Sequence, residues 1–232
     1  MALAAFWQGD PLPSLAPLPG FRAEQTDDIA LIARLARLAP AEVRRRMDTG
    51  HRAYVGYLND VPAAYGWVAG MGAEIGELGV AFVLPAGDRY LWDFATLPEW
   101  RGRGIYPHLL RAIIAGEMDA QRLWIIHAPE NVPSCKGIAR AGFVPVGELS
   151  FRAVGDAGFI PYLGNARPRV GAALLGVPLL DPSQPAPEPL APCWHCPIAA
   201  ATAALRADTA ACWPDTAETG ATRSPACTCA AG

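Results

Sequence analysis

No uninterrupted apolar run in the 232 residues reaches membrane-spanning length, and residues 1–10 lack the basic flank of a secretion signal. The expectation is a cytoplasmic protein with no membrane partner. A surplus of positive charge is missing too: the formal net charge is −3, which gives no reason to expect nucleic acid as a partner. Cysteine is scarce before position 193, where Cys135 stands alone, and stable disulfides do not suit a cytoplasmic compartment. What is abundant is apolar side chain, 52% of the residues, enough to bury a substantial core as one ordinary domain with extra segments.

The chemistry concentrates in residues 93–110, which read as a buried strand, a turn rich in glycine and arginine, and the first turn of a helix. Gly102 and Gly104 let the backbone approach a ligand closely. The first N–H groups of the helix after them lack partners and carry partial positive charge. Arg101 and Arg103 add charge, so a phosphate or pyrophosphate is the natural occupant of this cradle. A lone Gly-x-Gly more often does no more than permit a bend, but the flanks argue further. Residues 90–97 are aromatic and apolar enough for a central strand, and Leu109, Leu110, Ile113, Ile114 and Met118 recur at helical spacing.

The run Arg101-Gly102-Arg103-Gly104-Ile105-Tyr106 resembles the acyl-CoA pyrophosphate loop of the GNAT superfamily of N-acetyltransferases. The family pattern is Gln or Arg, two residues, Gly, one residue, then Gly or Ala, so Tyr106 departs at the last position. The expectation is that the loop opens slightly or the ring turns outward. Residues 131–143, beginning at Asn131 and ending in Gly142-Phe143, resemble the later helix of the same family. The two blocks stand in the family's order and separation. The resemblance covers about residues 20–175.

Taken in order, residues 1–20 carry four prolines and two glycines and read as an irregular arm. Residues 21–180 form the acyltransferase-like domain: a short strand, a helix capped near Asp28, a second helix opened by Pro40, a hairpin over 51–68, and a strand over 74–84. Arg44, Arg45 and Arg46 on the second helix read as a solvated face. The central strand and helix lead to a parallel strand at 123–127, then a helix and a strand over 143–151. Residues 152–180 stay unassigned, with room for one more strand. The fold class is α/β, a mixed and mostly antiparallel sheet holding one parallel, splayed strand pair flanked by helices.

The resemblance implies direct attack of an amine on the thioester of acetyl-CoA, with the pantetheine arm paired to the backbone of Phe94, Ala95 and Thr96. It places the pyrophosphate at residues 101–106, with Asn131 and Ser134 bordering the cofactor. A backbone N–H near Ala95 or Thr96 would meet the carbonyl oxygen. For the base that deprotonates the amine, Asp93, Glu130 and His127 are candidates. Many relatives carry a tyrosine seven residues after the Asn to protonate the leaving thiolate. Here that position is Ile138, and Ser134 or Tyr106 are the available substitutes. Cys135 is not needed as a nucleophile.

Residues 181–192 read as a proline-rich linker. The tail, 193–232, holds Cys193, Cys196, Cys212, Cys227 and Cys229. Its two close pairs admit a zinc site, a redox Cys-x-x-Cys, or a disordered tail with incidental cysteines. Beside the acetyltransferase reading stand two others: a non-catalytic acyl-CoA binder, suggested by Ile138, and a zinc-dependent protein-interaction module. The acceptor amine and the oligomeric state are not encoded in any motif.

Overall fold

A computed structural model of the protein describes residues 1–76, 80–153, 156–162 and 166–180. An eight-stranded sheet forms its centre, in the order β10-β9-β1-β8-β7-β4-β3-β2. β7 (Asp88–Thr96) and β8 (Arg122–His127) are parallel, and the other neighbours are antiparallel. β2 (Phe21–Thr26), β3 (Arg52–Leu58) and β4 (Val61–Ala69) make up one flank, with Asn59 and Asp60 turning the β3–β4 hairpin at positive φ.

The irregular arm expected at residues 1–20 is corrected over its first part. β1 (Ala2–Trp7) is a central strand wedged between β8 and β9 (Val144–Ala153) and antiparallel to both. Its run has no proline. Ala4 and Phe6 join the core under one face of the sheet, and Leu3 and Ala5 the core under the other. The prolines begin only at Pro11, where the chain turns into an extended strap over α3 (Ile105–Gly116), fastened by Arg111 Nη1 to Pro13 O at 2.9 Å.

Residues 74–84, read as one strand, are also corrected. They lie within a two-stranded ribbon, β5 (Gly72–Ile75) and β6 (Val80–Val83), paired from Gly72↔Val83 to Ile75↔Val80. The unassigned 152–180 stretch supplies β10 (Asp156–Pro161), next to β9, and α5 (Arg167–Leu174). The proposed linker at 181–192 and the cysteine-bearing tail lie outside the described residues.

Helices cover both faces. α3 and α4 (Val132–Ala141) pack on one side, around Leu109, Leu110, Ile113 and Ile138. On the other side α1 (Ile29–Ala36) and α2 (Pro40–Asp48) cover β3 and β4, while α5 and the β5–β6 ribbon cover the far half. Asp28 Oδ1 caps α1 by accepting from Leu31 N at 2.9 Å. At the far end of α3, buried Glu117 accepts from Arg52, Tyr54 and Arg89, with Tyr54 Oη and Arg89 Nε each at 2.9 Å, tying that helix end to β3 and β7. Burial, with the Glu117 carboxylate beside it, pushes the Tyr54 hydroxyl well above its ordinary pKa.

Candidate active site

The parallel pair β7–β8 is in register from Asp88↔Arg122 to Leu91↔Ile125 and unpaired beyond. Past Leu91 the two strands part, and the β8-side edge of β7 faces a gap while its other edge stays paired with β4. A cavity of about 670 Å³ opens there, lined among others by Arg46, Trp92, Phe94, Tyr106, His127 and Ser134. This matches the general location of ligand sites in α/β sheets, outside the carboxyl ends of parallel strands.

The loop after β7 makes one short 3₁₀ turn at Pro98–Trp100 and then meets Gly102 and Gly104, both at φ +76°. No atom lies within 4 Å of where a Cβ would stand on either glycine, so the backbone there is open to solvent. Gly104 is the N-cap of α3 and offers no side chain, leaving the first N–H groups of the helix uncapped by any side-chain acceptor. Arg101 donates through Nε to Thr96 O at 3.2 Å, and Arg103 lies 4.9 Å from the Trp100 ring centre. Both arginines are exposed at the mouth of the cradle.

Tyr106 overturns the expectation drawn for it, since its ring turns inward. It packs edge-on to Phe94 at 5.7 Å and lies over Gly137 of α4, where an added Cβ would come within 2.4 Å of the ring. Its hydroxyl stands beside the Ser134 side chain, and burial pushes its pKa well above the ordinary tyrosine range while Ser134 pulls the other way. Ile138, one residue beyond Gly137, is fully buried in the core. The cavity therefore has a phenol contributed by α3 and none from position 138.

His127 is 5% exposed, at the end of β8. Its Nδ1 donates to Ala128 O at 2.9 Å, which leaves Nε2 as the basic nitrogen. Burial lowers its pKa below the ordinary histidine value, although the Ala128 carbonyl pulls the other way. Asp93 also lines the cavity, but its carboxylate is engaged by Arg46 Nη1 at 2.5 Å. Glu130 is exposed on the following turn, outside the cavity lining. Asn131 lines the cavity while its Oδ1 caps α4 by accepting from Ser134 N at 3.1 Å. Ala95 and Thr96 lie farther along β7, and Cys135 is buried away from the cavity.

Arg46 is the residue that reading the sequence missed. The run of three arginines is solvated at Arg44 and Arg45, whereas the Arg46 side chain is only 12% exposed. The signal was available: Arg46 follows Val43, the buried residue of α2, by three positions, so the two share a face.

A family model for GNAT acetyltransferases matches residues 23–143, just over half of the chain. The chain belongs to the GNAT acetyltransferase family. The matched span of this GNAT chain runs from β2 through α4 and so contains the parted strands, the glycine loop and the helix carrying Ser134, while β1 lies outside it.

Among solved structures, the chain is similar to a GNAT-family protein from Novosphingobium aromaticivorans DSM 12444 (21% identity, 62% of this chain and 59% of that one, TM-score 0.43). It is similar also to an aminoglycoside acetyltransferase from an uncultured soil metagenomic sample, in complex with sisomicin (11% identity, 53% and 87%, TM-score 0.42). A third is a Salmonella typhimurium protein with acetyl-CoA (15% identity, 56% and 82%, TM-score 0.42). The chain thus spans 59% of the length of the Novosphingobium protein. No curated protein matches the sequence. Among the described residues no group of three or more His, Cys, Asp or Glu is placed to hold a metal ion, and no helix is long and apolar enough to cross a membrane. The five tail cysteines considered as zinc ligands lie outside those residues.

Proposed function

We propose that this GNAT chain is an N-acetyltransferase that moves an acetyl group from acetyl-CoA to an amine. The observation that carries the reading is the conjunction, at one end of β7, of an uncapped helix start behind two open glycines with a strand whose backbone has lost its neighbour on the β8 side. The α3 N-terminus, Arg101 and Arg103 suit a pyrophosphate, and the backbone from Phe94 to Thr96 suits an amide-bearing arm laid along the strand. When bound, acetyl-CoA supplies an activated thioester carbonyl.

The protein's own part is positioning and proton handling. His127, held with its proton on Nδ1, accepts the amine proton at Nε2. Tyr106, kept protonated by burial, donates from its hydroxyl toward the departing thiolate. Ser134 stands beside that hydroxyl and eases its ionisation. In this reading Asp93 is not the base, because its carboxylate is committed to Arg46, and Glu130 stands away from the reacting groups.

The test is release of CoA from acetyl-CoA in the presence of a panel of primary amines. Since His127 must be neutral to act and burial lowers its pKa, kcat/KM should fall on the acid side with a midpoint below 6.5. His127→Ala should remove that limb and lower kcat by about a hundredfold or more. Tyr106→Phe should lower kcat by a smaller factor and leave acetyl-CoA affinity unchanged. Tight acetyl-CoA binding without transfer to any amine would instead favour a non-catalytic binder, the reading that buried Ile138 suggests.

A further inference from the structure

One residue beside the parted strands holds a backbone conformation its type does not favour. Between the pairs Tyr65↔Ala95 and Trp67↔Trp92, β4 contributes one residue, Gly66, and β7 contributes two, Asp93 and Phe94. This is a β-bulge. Its first residue, Asp93, sits at φ +49°, where glycine is the usual occupant. Aspartate tolerates the left-handed region better than most residues but still at a cost, so its side chain needs a compensating contact. Opposite it, Gly66 is required for space, since a Cβ there would lie 2.0 Å from the Phe94 ring.

That contact is Arg46. Asp93 Oδ2 accepts from Arg46 Nη1 at 2.5 Å, and Arg46 is itself fixed from three sides. Its Nε donates to Glu42 at 3.0 Å, one helical turn back. Its guanidinium stands 4.5 Å from the ring centre of Trp92 and 5.2 Å from that of Trp67. Such a cation has little freedom to follow Asp93 into another conformation. The bulge falls two residues past Leu91, the last residue of β7 paired with β8.

We propose that Arg46 is a positioning residue that locks Asp93 in the left-handed conformation, and so holds open the bulge that separates β7 from β8. The backbone N–H groups past the bulge that point away from β4 face acetyl-CoA only while that lock is closed, so the inference rests on the acetyltransferase reading. It also ties α2, a wall of the cavity, to the strand that presents the thioester.

The experiment is a cycle of four proteins beside the wild type: Arg46→Met, which keeps an apolar stem against the two indoles, Asp93→Ala, Asp93→Gly, and Arg46→Met with Asp93→Gly. Each is titrated calorimetrically with acetyl-CoA, and the amide chemical shifts of residues 92–96 are recorded without ligand. Arg46→Met and Asp93→Ala should each weaken acetyl-CoA about tenfold, the scale of one displaced backbone hydrogen bond, and should move the amide shifts. Asp93→Gly, free to adopt positive φ, should stay within about threefold of wild type, and adding Arg46→Met to it should cost no more.

Asp93→Gly as weak as Asp93→Ala would overturn the proposal by showing that the carboxylate itself is what matters. Equal cost of Arg46→Met in the wild type and in the Asp93→Gly variant would overturn it as well. If the wild type binds no acetyl-CoA, the acetyltransferase reading fails while the amide shifts still decide the lock: unmoved shifts in Arg46→Met sink it, and shifts that move only when residue 93 is aspartate support it.

Discussion

Gly104→Glu is expected to abolish acetyl-CoA binding, with a loss of affinity of at least about a hundredfold. Gly104 sits at φ +76° as the N-cap of α3, with open space where a side chain would project. Two effects add. A residue with a Cβ in the left-handed region costs about 1–2 kcal/mol, and a carboxylate at a helix N-cap takes for itself the N–H groups that a pyrophosphate would use. The same carboxylate caps the helix, so the fold should survive and the loss should be one of binding. Gly104→Ala isolates the strain and should weaken binding by much less. If Gly104→Glu binds as tightly as Gly104→Ala, the loop is not a phosphate cradle.

Removal of residues 2–7 is expected to prevent folding altogether. Ala2–Trp7 separates β8 from β9 and is hydrogen-bonded along both of its edges. Leu3 is 1% exposed and Phe6 6% exposed, each contributing about 1.5–3 kcal/mol by burial. Those two side chains and two lost ladders approach the whole stability of a typical domain, about 5–15 kcal/mol. The shortened chain should show no cooperative thermal transition by circular dichroism, and its two unpaired strand edges should drive aggregation. Ala5→Asp, which sets a carboxylate at a position 0% exposed, should reproduce the defect at one residue. A shortened chain that melts like the full one would mean that the sheet does not depend on this strand.

The strand was hidden in the sequence because four prolines in the first 20 residues dominated the composition of the window. They begin only at Pro11, and the six residues of β1 contain none. The units around the site were legible because their signals are local: the glycine loop, the apolar spacing of α3 from Leu109 to Ile114, the Asn131 cap and the Gly142 terminus at φ +106°, whereas Met118, read onto the same helix face, lies past the helix end and is exposed. The parallel pair was legible too, as two short apolar runs joined by a helix.

What was not legible depends on contacts between distant residues. Tyr106 looked like an intrusion in the loop, and only the pairing of α3 with α4 shows that Gly137 makes room for it and that Ser134 meets its hydroxyl. Arg46 looked solvated because three adjacent charges hide the helical phase that aims one of them at Asp93, which lies 47 residues away. The left-handed backbone at Asp93 leaves no trace in residue type beyond the tolerance that Asp shares with Asn.

Calorimetric titration of the purified full chain with acetyl-CoA, and with CoA as the control, tests the central claim most directly. The account predicts saturable binding of both, through the cradle and the β7 backbone they share, and loss of both in Gly104→Glu. Binding of neither by the wild-type protein would contradict it.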